Sequence, residues 1–270
     1  MLLNALIMYL LAGACSGVLA GLFGIGGGLI VVPLLLVAFH LQGLPEAVIT
    51  HLAVGTSLAT IVFTSLSSVR AHLKRTQLDW ILVLQMAVGM AMGAFLGGML
   101  AADIPGWMLQ RLIGLFALAI AVQMWFNLSP GGGKEAGETV ARAPLERGLV
   151  GSGIGLLSAL FGIGGGSITV PYLAWRGLRM AKAVATSSAT SIPIALFGAA
   201  SYMLNGWGEA SLPAHSLGYV YWPALLGVIS TSAFTSKLGV WLAHRLPPLV
   251  LRRAFALLQL GIACKFLIFS

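Results

Sequence analysis

Two stretches of this sequence end in the same glycine cluster. Residues 21–28 read GLFGIGGG and residues 159–166 read ALFGIGGG. Each time a proline, Pro33 or Pro171, stands five residues beyond the last glycine. Glycine has no Cβ, so a run of glycines permits a sharp reversal and leaves amide N–H groups uncovered. A helix that starts beyond such a run presents free N–H donors and roughly +0.5 of a charge, which suits an anion. A second pair of motifs supplies hydroxyls. AVGTS (53–57) and AVATS (183–187) contain Thr56–Ser57 and Thr186–Ser187. These side chains can hydrogen-bond the oxygens of an anion. Bonding back to the preceding helical turn is their competing use. His51 is a group that could carry a proton, although an interior histidine satisfied by its neighbours is the plainer reading.

Other chemistry is missing. GIGGG lacks the strand and spacing of a dinucleotide fingerprint, and no Gly-Lys-Ser/Thr follows to make a phosphate loop. There is no metal cluster of His and Cys and no nucleophile–base signature. Cys15 and Cys264 stand singly in apolar runs and indicate neither a disulfide framework nor a metal site. No enzyme, cofactor or resident metal is expected.

Composition places the chain in lipid. Of its 270 residues 59% are hydrophobic and 8% charged, against roughly 25% charged in a soluble domain. The net charge of +8 comes from basic residues scattered singly or in small groups between apolar runs. That is the pattern of cytoplasmic loops, not of a nucleic-acid surface. The apolar stretch 2–22 has no basic residues before it, which argues against a cleaved signal peptide. Spans are predicted at 46–69, 80–102, 106–128, 180–204, 217–243 and 248–269, each above the ~20 residues that cross a bilayer.

The polar run SPGGGKEAGETVARAP at 129–144 divides the chain. The organisation expected is a first transmembrane repeat over 1–128, a cytoplasmic linker over 129–146 and a second repeat over 147–270. Aligning the glycine clusters sets Gly13 and Gly17 against Gly151 and Gly155, and Pro33 against Pro171. Further on, Trp80 falls opposite Trp222, Gly97 opposite Gly239 and Pro105 opposite Pro247. Charges give the relative orientation. Loop 69–79 holds Arg70, Lys74 and Arg75, whereas its counterpart 205–216 has no Lys or Arg. Loop 101–107 has only Asp103, whereas 244–253 has Arg245, Arg252 and Arg253. Equivalent loops therefore lie on opposite sides and the repeats are inverted. Arg111, near an outward end, fits this scheme poorly unless it snorkels.

Inversion needs an odd number of crossings per half. The apolar arms after the clusters, 29–39 and 167–175, reach only about 16 and 14 Å at the helical rise. Neither crosses a ~30 Å core. Each cluster is thus read as the tip of a re-entrant helical hairpin near the midplane, followed by three true spans. Thr56–Ser57 lies roughly 16 Å beyond Pro45, and His51 about 9 Å inside the same span. The tips bring two helix N-termini together from opposite leaflets. Asp and Glu residues stand only at span ends, which argues against a cation site. The spaced glycines Gly13, Gly17, Gly21 and Gly89, Gly93, Gly97 are read instead as helix-packing seams.

With GLFGIGGGLIVVPLL, AVGTSLATIVFTSLSSVRAHLKRTQLDW, ALFGIGGGSITVPYL and AVATSSATSIPIALFGAASYMLNGW in view, the chain resembles the TauE/SafE family of bacterial membrane permeases, the sulfite exporters. The resemblance covers nearly the whole chain. It implies transport of sulfite, sulfonates or other small anions across the cytoplasmic membrane. The family's glycine motifs map onto Gly24, Gly26, Gly27 and Gly28 and onto Gly162, Gly164, Gly165 and Gly166. Its Thr-Ser motifs map onto Thr56, Ser57, Thr186 and Ser187. Ser167 stands where the first copy has Leu29, so the two half-sites differ chemically. The expected protein is an all-α polytopic permease working by alternating access. A passive anion channel and a non-transporting membrane scaffold are its rivals. The expected partners are a small anion and the lipid bilayer, with homo-oligomer formation left open and no nucleic acid.

Topology is directly testable. In a background lacking Cys15 and Cys264, R75C should label only from the cytoplasm and A210C only from outside. Cysteines at positions 147 and 179 should both label from the cytoplasm. Opposite-side labelling of 147 and 179 would rule out the re-entrant hairpin.

Overall fold

The computed structural model describes residues 2–23, 28–73, 78–126, 144–178, 180–243 and 248–268. Gly24, Gly26 and Gly27, Arg75, Arg179 and most of the polar run 129–144 lie outside these residues. Ten helices occur among the described residues. In the first half they are α1 (Leu2–Phe23), α2 (Gly28–Leu41), α3 (Glu46–Leu73), α4 (Trp80–Ala102) and α5 (Gly106–Trp125). In the second half they are α6 (Pro144–Phe161), α7 (Gly166–Trp175), α8 (Met180–Asn205), α9 (Trp222–Ala243) and α10 (Pro248–Ile268).

Four of them are long and apolar enough to cross a membrane: Glu46–Arg70, Trp80–Ala102, Gly106–Trp125 and Lys182–Asn205. The protein is a multi-pass membrane protein. Its surface agrees. Along α4 the exposed side chains are Ile81, Leu84, Val88, Met92, Leu96 and Met99, a continuous apolar stripe at helical spacing that only lipid solvates well. The interior is not wholly apolar: Thr56, Ser57, Thr60, Thr186, Ser187 and Ser191 are all buried. Arg111 places its guanidinium 5.0 Å over the Trp107 ring, which shields a cation held at the end of a span.

Helix starts follow local rules. Asp79 caps α4 by accepting from the N–H groups of Ile81 and Leu82, both at 3.1 Å. Short α2 and α7, of 14 and 10 residues, each carry a proline inside, Pro33 and Pro171. Their rise is about 21 and 15 Å, less than the hydrocarbon core.

Close backbone contact joins the helices in pairs. A Cβ on Gly13 would lie 2.5 Å from the Val228 carbonyl, and one on Gly17 would lie 2.7 Å from Ser232, both on α9. On α6, a Cβ on Gly151 would meet the Met86 carbonyl at 2.7 Å, and one on Gly155 the Met90 carbonyl at 2.2 Å. The register that sets Trp80 against Trp222 also sets Met86 against Val228 and Met90 against Ser232. The α1–α9 and α6–α4 seams therefore use matching residues, and in both the two helices run parallel. Two counterpart pairs run antiparallel instead. Gly198 approaches Leu58 while Ser188 bonds Ser68 at 3.1 Å, across α3 and α8. Gly114 meets Phe266 and Trp125 meets Arg253, across α5 and α10.

One stretch departs from the expected all-helical pattern. The span predicted from residue 217 begins at Trp222. Before it, β1 (Ser216–Leu217) pairs antiparallel with β2 (Val220–Tyr221). Gly218 supplies the positive φ, 53°, that so tight a turn needs. The hairpin docks on the central helices: Tyr219 N–H donates to Tyr202 O at 3.1 Å, and Tyr221 N–H to Thr56 Oγ1 at 3.0 Å. A Cβ on Gly55 would lie 2.2 Å from the Tyr219 carbonyl, so the hairpin requires glycine there.

The seams predict opposite effects for two similar substitutions. In Gly93→Ala the new Cβ would sit 1.9 Å from the Ser152 carbonyl. The helices must part, a loss of about 1–3 kcal/mol. In Gly153→Ala, on the open side of α6, no atom lies within 4 Å. Lower chain entropy in the unfolded state should there stabilise by about 0.4–1 kcal/mol. Thermal melting in detergent checks both signs.

Candidate functional site

The second glycine cluster is where the chain leaves and re-enters helix. α6 stops because Gly162 adopts φ 68°. Ile163 N–H then donates to Ser158 O at 2.8 Å and Gly162 N–H to Ala159 O at 3.4 Å, the paired bonds of a Schellman ending. Gly165, at φ 75°, precedes α7 as its N-cap. Ile168 and Thr169 N–H donate back to the Gly165 carbonyl at 3.0 and 2.8 Å. The N–H groups of Gly165, Gly166 and Ser167 meet no acceptor among the described residues.

Carbonyls at this tip are held from outside. Ser57 of α3 donates to the Gly162 carbonyl at 2.9 Å and also lies 3.5 Å from the Gly28 carbonyl. Ser191 of α8 donates to the Gly164 carbonyl. In a trans peptide the C=O and the next N–H point in opposite directions. Fixing the Gly164 carbonyl on Ser191 therefore turns the Gly165 N–H away from α8. The start of α2 meets this turn. A Cβ on Gly28, the first residue of α2, would lie 2.7 Å from the Gly162 carbonyl and 3.1 Å from the Ile163 Cα. Gly28, Ser57, Gly162 and Gly164 thus share one buried cluster at the start of α2 and the start of α7.

The other sequence candidates take different places. Thr56 faces the β-hairpin, where its Oγ1 accepts from Tyr221 N–H at 3.0 Å. Ser187 contributes its carbonyl, which accepts from Thr190 at 3.1 Å and Ser191 at 2.8 Å. Thr186 is buried on α8 without a hydrogen bond to the tip. Ser167 is buried and its Oγ has no hydrogen-bond partner.

Comparison with known proteins decides the family. The model of the sulfite exporter TauE/SafE family matches residues 9–266. The chain belongs to the TauE/SafE family. It is 35% identical over 258 residues to a probable membrane transporter protein of Haemophilus influenzae, covering 96% of each chain. A probable membrane transporter protein of Methanocaldococcus jannaschii is 31% identical over 246 residues, 91% of this chain and 89% of its own. Another, from Bacillus subtilis, is 25% identical over 97% of both. No solved structure matches the chain.

In this TauE/SafE chain His51 stands apart from the tip, about 9 Å along α3 from Ser57. Its Nε2 lies 2.9 Å from Ala101 O and 3.1 Å from Ile104 O, and its ring packs on Tyr219 at 5.2 Å between centroids. Nε2 is the donor and holds the end of α4 against α3. Nδ1 is buried without a partner. A separate cavity of about 680 Å³ opens at the far end of α2, lined by His40, Glu46, Trp107, Gln110 and Lys265. There His40 Nδ1 lies 2.8 Å from Glu46 Oε1, and both side chains are largely exposed. Among the described residues, its lining includes none of either glycine cluster.

Three residues at the tip escaped the sequence motifs: Ser191, Ser158 and Thr169. Oγ of Ser158 and Oγ1 of Thr169 lie 3.4 and 3.5 Å from the position a Gly165 Cβ would take. The available signal was the difference between LIVVP and SITVP, which replaces Leu29 and Val31 by Ser167 and Thr169.

Ser57→Ala should leave the buried Gly162 carbonyl without its donor and cost about 1–3 kcal/mol. Ser187→Ala removes a hydroxyl that makes no hydrogen bond among the described residues and should cost less. Denaturant titration of both variants in detergent measures the difference.

Proposed function

We propose that the chain is a carrier that moves a small anion, sulfite, a sulfonate or a related organic anion, across the bacterial cytoplasmic membrane by alternating access. Its architecture on this reading is two inverted repeats, each a re-entrant hairpin followed by three spans. The observation that carries the reading is the second hairpin. α7 is too short to cross, at about 15 Å, and its far end returns to where α6 began: Arg176 reaches Glu146 at 3.8 Å. Its near end presents unbonded N–H groups in the protein interior, where they can meet an anion but not lipid.

The seams support inversion. A two-fold axis in the membrane plane makes counterpart helices that meet at the axis antiparallel, as α3 and α8 and α5 and α10 are. It also generates two equivalent parallel seams, α1 with α9 and α6 with α4. The contact of Gly28 with Gly162 and Ile163 closes the space between the hairpins, which favours a carrier over an open channel. The relatives' names as probable membrane transporter proteins agree, and the family description supplies sulfite as the first substrate to test.

Gly165→Leu is the decisive variant. At φ 75° any side chain is strained, and a Cβ would meet Ile194 Cδ1 at 2.5 Å. The protein should still insert, as size-exclusion and labelling of R75C would report. Sulfite counterflow in proteoliposomes should vanish, while the wild-type chain shows saturable exchange. Full counterflow in Gly165→Leu would reduce the tip to a packing device, and linear, voltage-following conductance in the wild type would make the protein a channel.

A further inference from the structure

Helices α3 and α8 meet along a seam whose two halves differ. The Cβ position of Gly198 lies 3.1 Å from Leu58 Cδ1, and Ser68 Oγ lies 3.1 Å from Ser188 Oγ. These contacts fix an antiparallel register that sets Ile61 opposite Ala195 and Ser65 opposite Ser191. On each helix the four residues fall within about 80° and so share one face. The alignment of AVGTS with AVATS exchanges the halves: Leu58 corresponds to Ser188, Ile61 to Ser191, Ser65 to Ala195 and Ser68 to Gly198. One half is therefore two layers of hydroxyls, and its counterpart is two layers of apolar residues. Arg70, Lys74 and Arg75 around the end of α3, and Lys182 at the start of α8, put the hydroxyl half on the cytoplasmic side. The glycine turn lies where the halves join. Ser191 donates to the Gly164 carbonyl, and Ile61 Cγ2 stands 2.8 Å from the Cβ position of Gly164.

We infer that Ser65, Ser68, Ser188 and Ser191 line the wetted path by which a small oxyanion passes between the cytoplasm and the glycine turn, and that the apolar half is the dry gate on the other side. This rests on the reading of the chain as an anion carrier. Helix packing does not use every hydroxyl of the seam. Ser65 is 2% exposed, and its Oγ has no hydrogen-bond partner among the described residues. A buried hydroxyl without a partner is costly to keep, and water or a passing oxyanion satisfies it. Ser188 also donates to the Val184 carbonyl at 3.0 Å, so it can part from Ser68 without being orphaned. Water replaces a bond between two hydroxyls at little net cost. Parting the other half instead exposes Leu58 and Ile61, both at 0%, and the cost grows with the apolar area uncovered. The next layer repeats the contrast. Tyr202 is buried beneath the β-hairpin, its carbonyl accepting from Tyr219 N–H at 3.1 Å. Its counterpart His72, at the cytoplasmic mouth, is partly exposed.

Cysteine alkylation tests the path, in the full chain lacking Cys15 and Cys264 and in membrane vesicles of both orientations. The reagent is iodoacetate, a small anion whose thioether product is permanent. A wetted thiol ionises and reacts, whereas one in apolar packing does not. S65C and S188C should be alkylated from the cytoplasmic face about tenfold faster than their counterparts A195C and L58C from the outer face, as an outward-open state populated at roughly a tenth implies. S68C stands in for either serine variant that fails to insert. Alkylated S65C, freed of reagent and reconstituted, should lose sulfite counterflow while eluting unchanged on size exclusion. R75C treated in the same way should keep it. If no serine position reacts while counterflow persists, the seam is packing, and the inference falls with the carrier reading intact. Equal rates at the counterpart positions from their two faces would remove the asymmetry. Full counterflow in alkylated S65C would make the hydroxyl half a crevice off the route. Absence of counterflow in the unmodified wild type would overturn the carrier reading itself.

Discussion

Backbone polar groups buried inside a protein have little water to bond, so a buried break in a helix must find its carbonyls and amides a protein partner or a ligand. The turn from Gly162 to Gly165 is such a buried break, and several elements of the molecule meet at it. Its carbonyls are met by one serine from each central helix, Ser57 from α3 and Ser191 from α8. Those helices are the most enclosed of the four candidate spans. They are held in turn by the α4–α6 and α1–α9 seams, whose glycines let backbones approach without intervening side chains. The amides of the turn are left over. A carbonyl without its donor would be a defect, whereas an amide aimed into the protein at a helix start is a place for an anion.

The same constraint explains why the polar residues lie inside. Lipid is as apolar as leucine, so nothing drives apolar side chains inward. Packing and hydrogen bonds hold the bundle together, and both favour small residues. Glycine, serine and threonine are therefore frequent along α3, α8 and the seams, packed beside buried Leu52, Leu58, Met86 and Met90, while Leu84, Met92 and Leu96 of α4 face outward. Lys and Arg are confined to ends, where Arg111 lies over Trp107 and Arg253 over Trp125.

Much of this was legible in the sequence. The glycine clusters and the prolines after them marked two short helices, and α2 and α7 begin within a residue of the arms read from hydropathy. Spacings of four among Gly89, Gly93 and Gly97 marked a packing face. What spacing could not give was the partner, because a seam names a face of one helix and not the helix opposite. The β-hairpin was hidden for another reason: hydropathy averages over Leu217 to Tyr221, which are apolar enough to read as the start of α9. Thr56 and Ser57 were legible as a pair, yet successive residues on a helix point about 100° apart, so one meets the β-hairpin and the other the tip. Ser158 was invisible, since a single serine in an apolar helix carries no period and its counterpart Ala20 carries no hydroxyl.

A repeated scaffold suits a protein that must pass between two states. On the reading proposed above, alternation between two open states requires that they have comparable energy, and the matching α1–α9 and α6–α4 seams supply this, because exchanging the conformations of the two halves would return nearly the same contacts. A ligand that binds both states with similar free energy shifts neither strongly, and that condition is what lets a carrier release what it has bound.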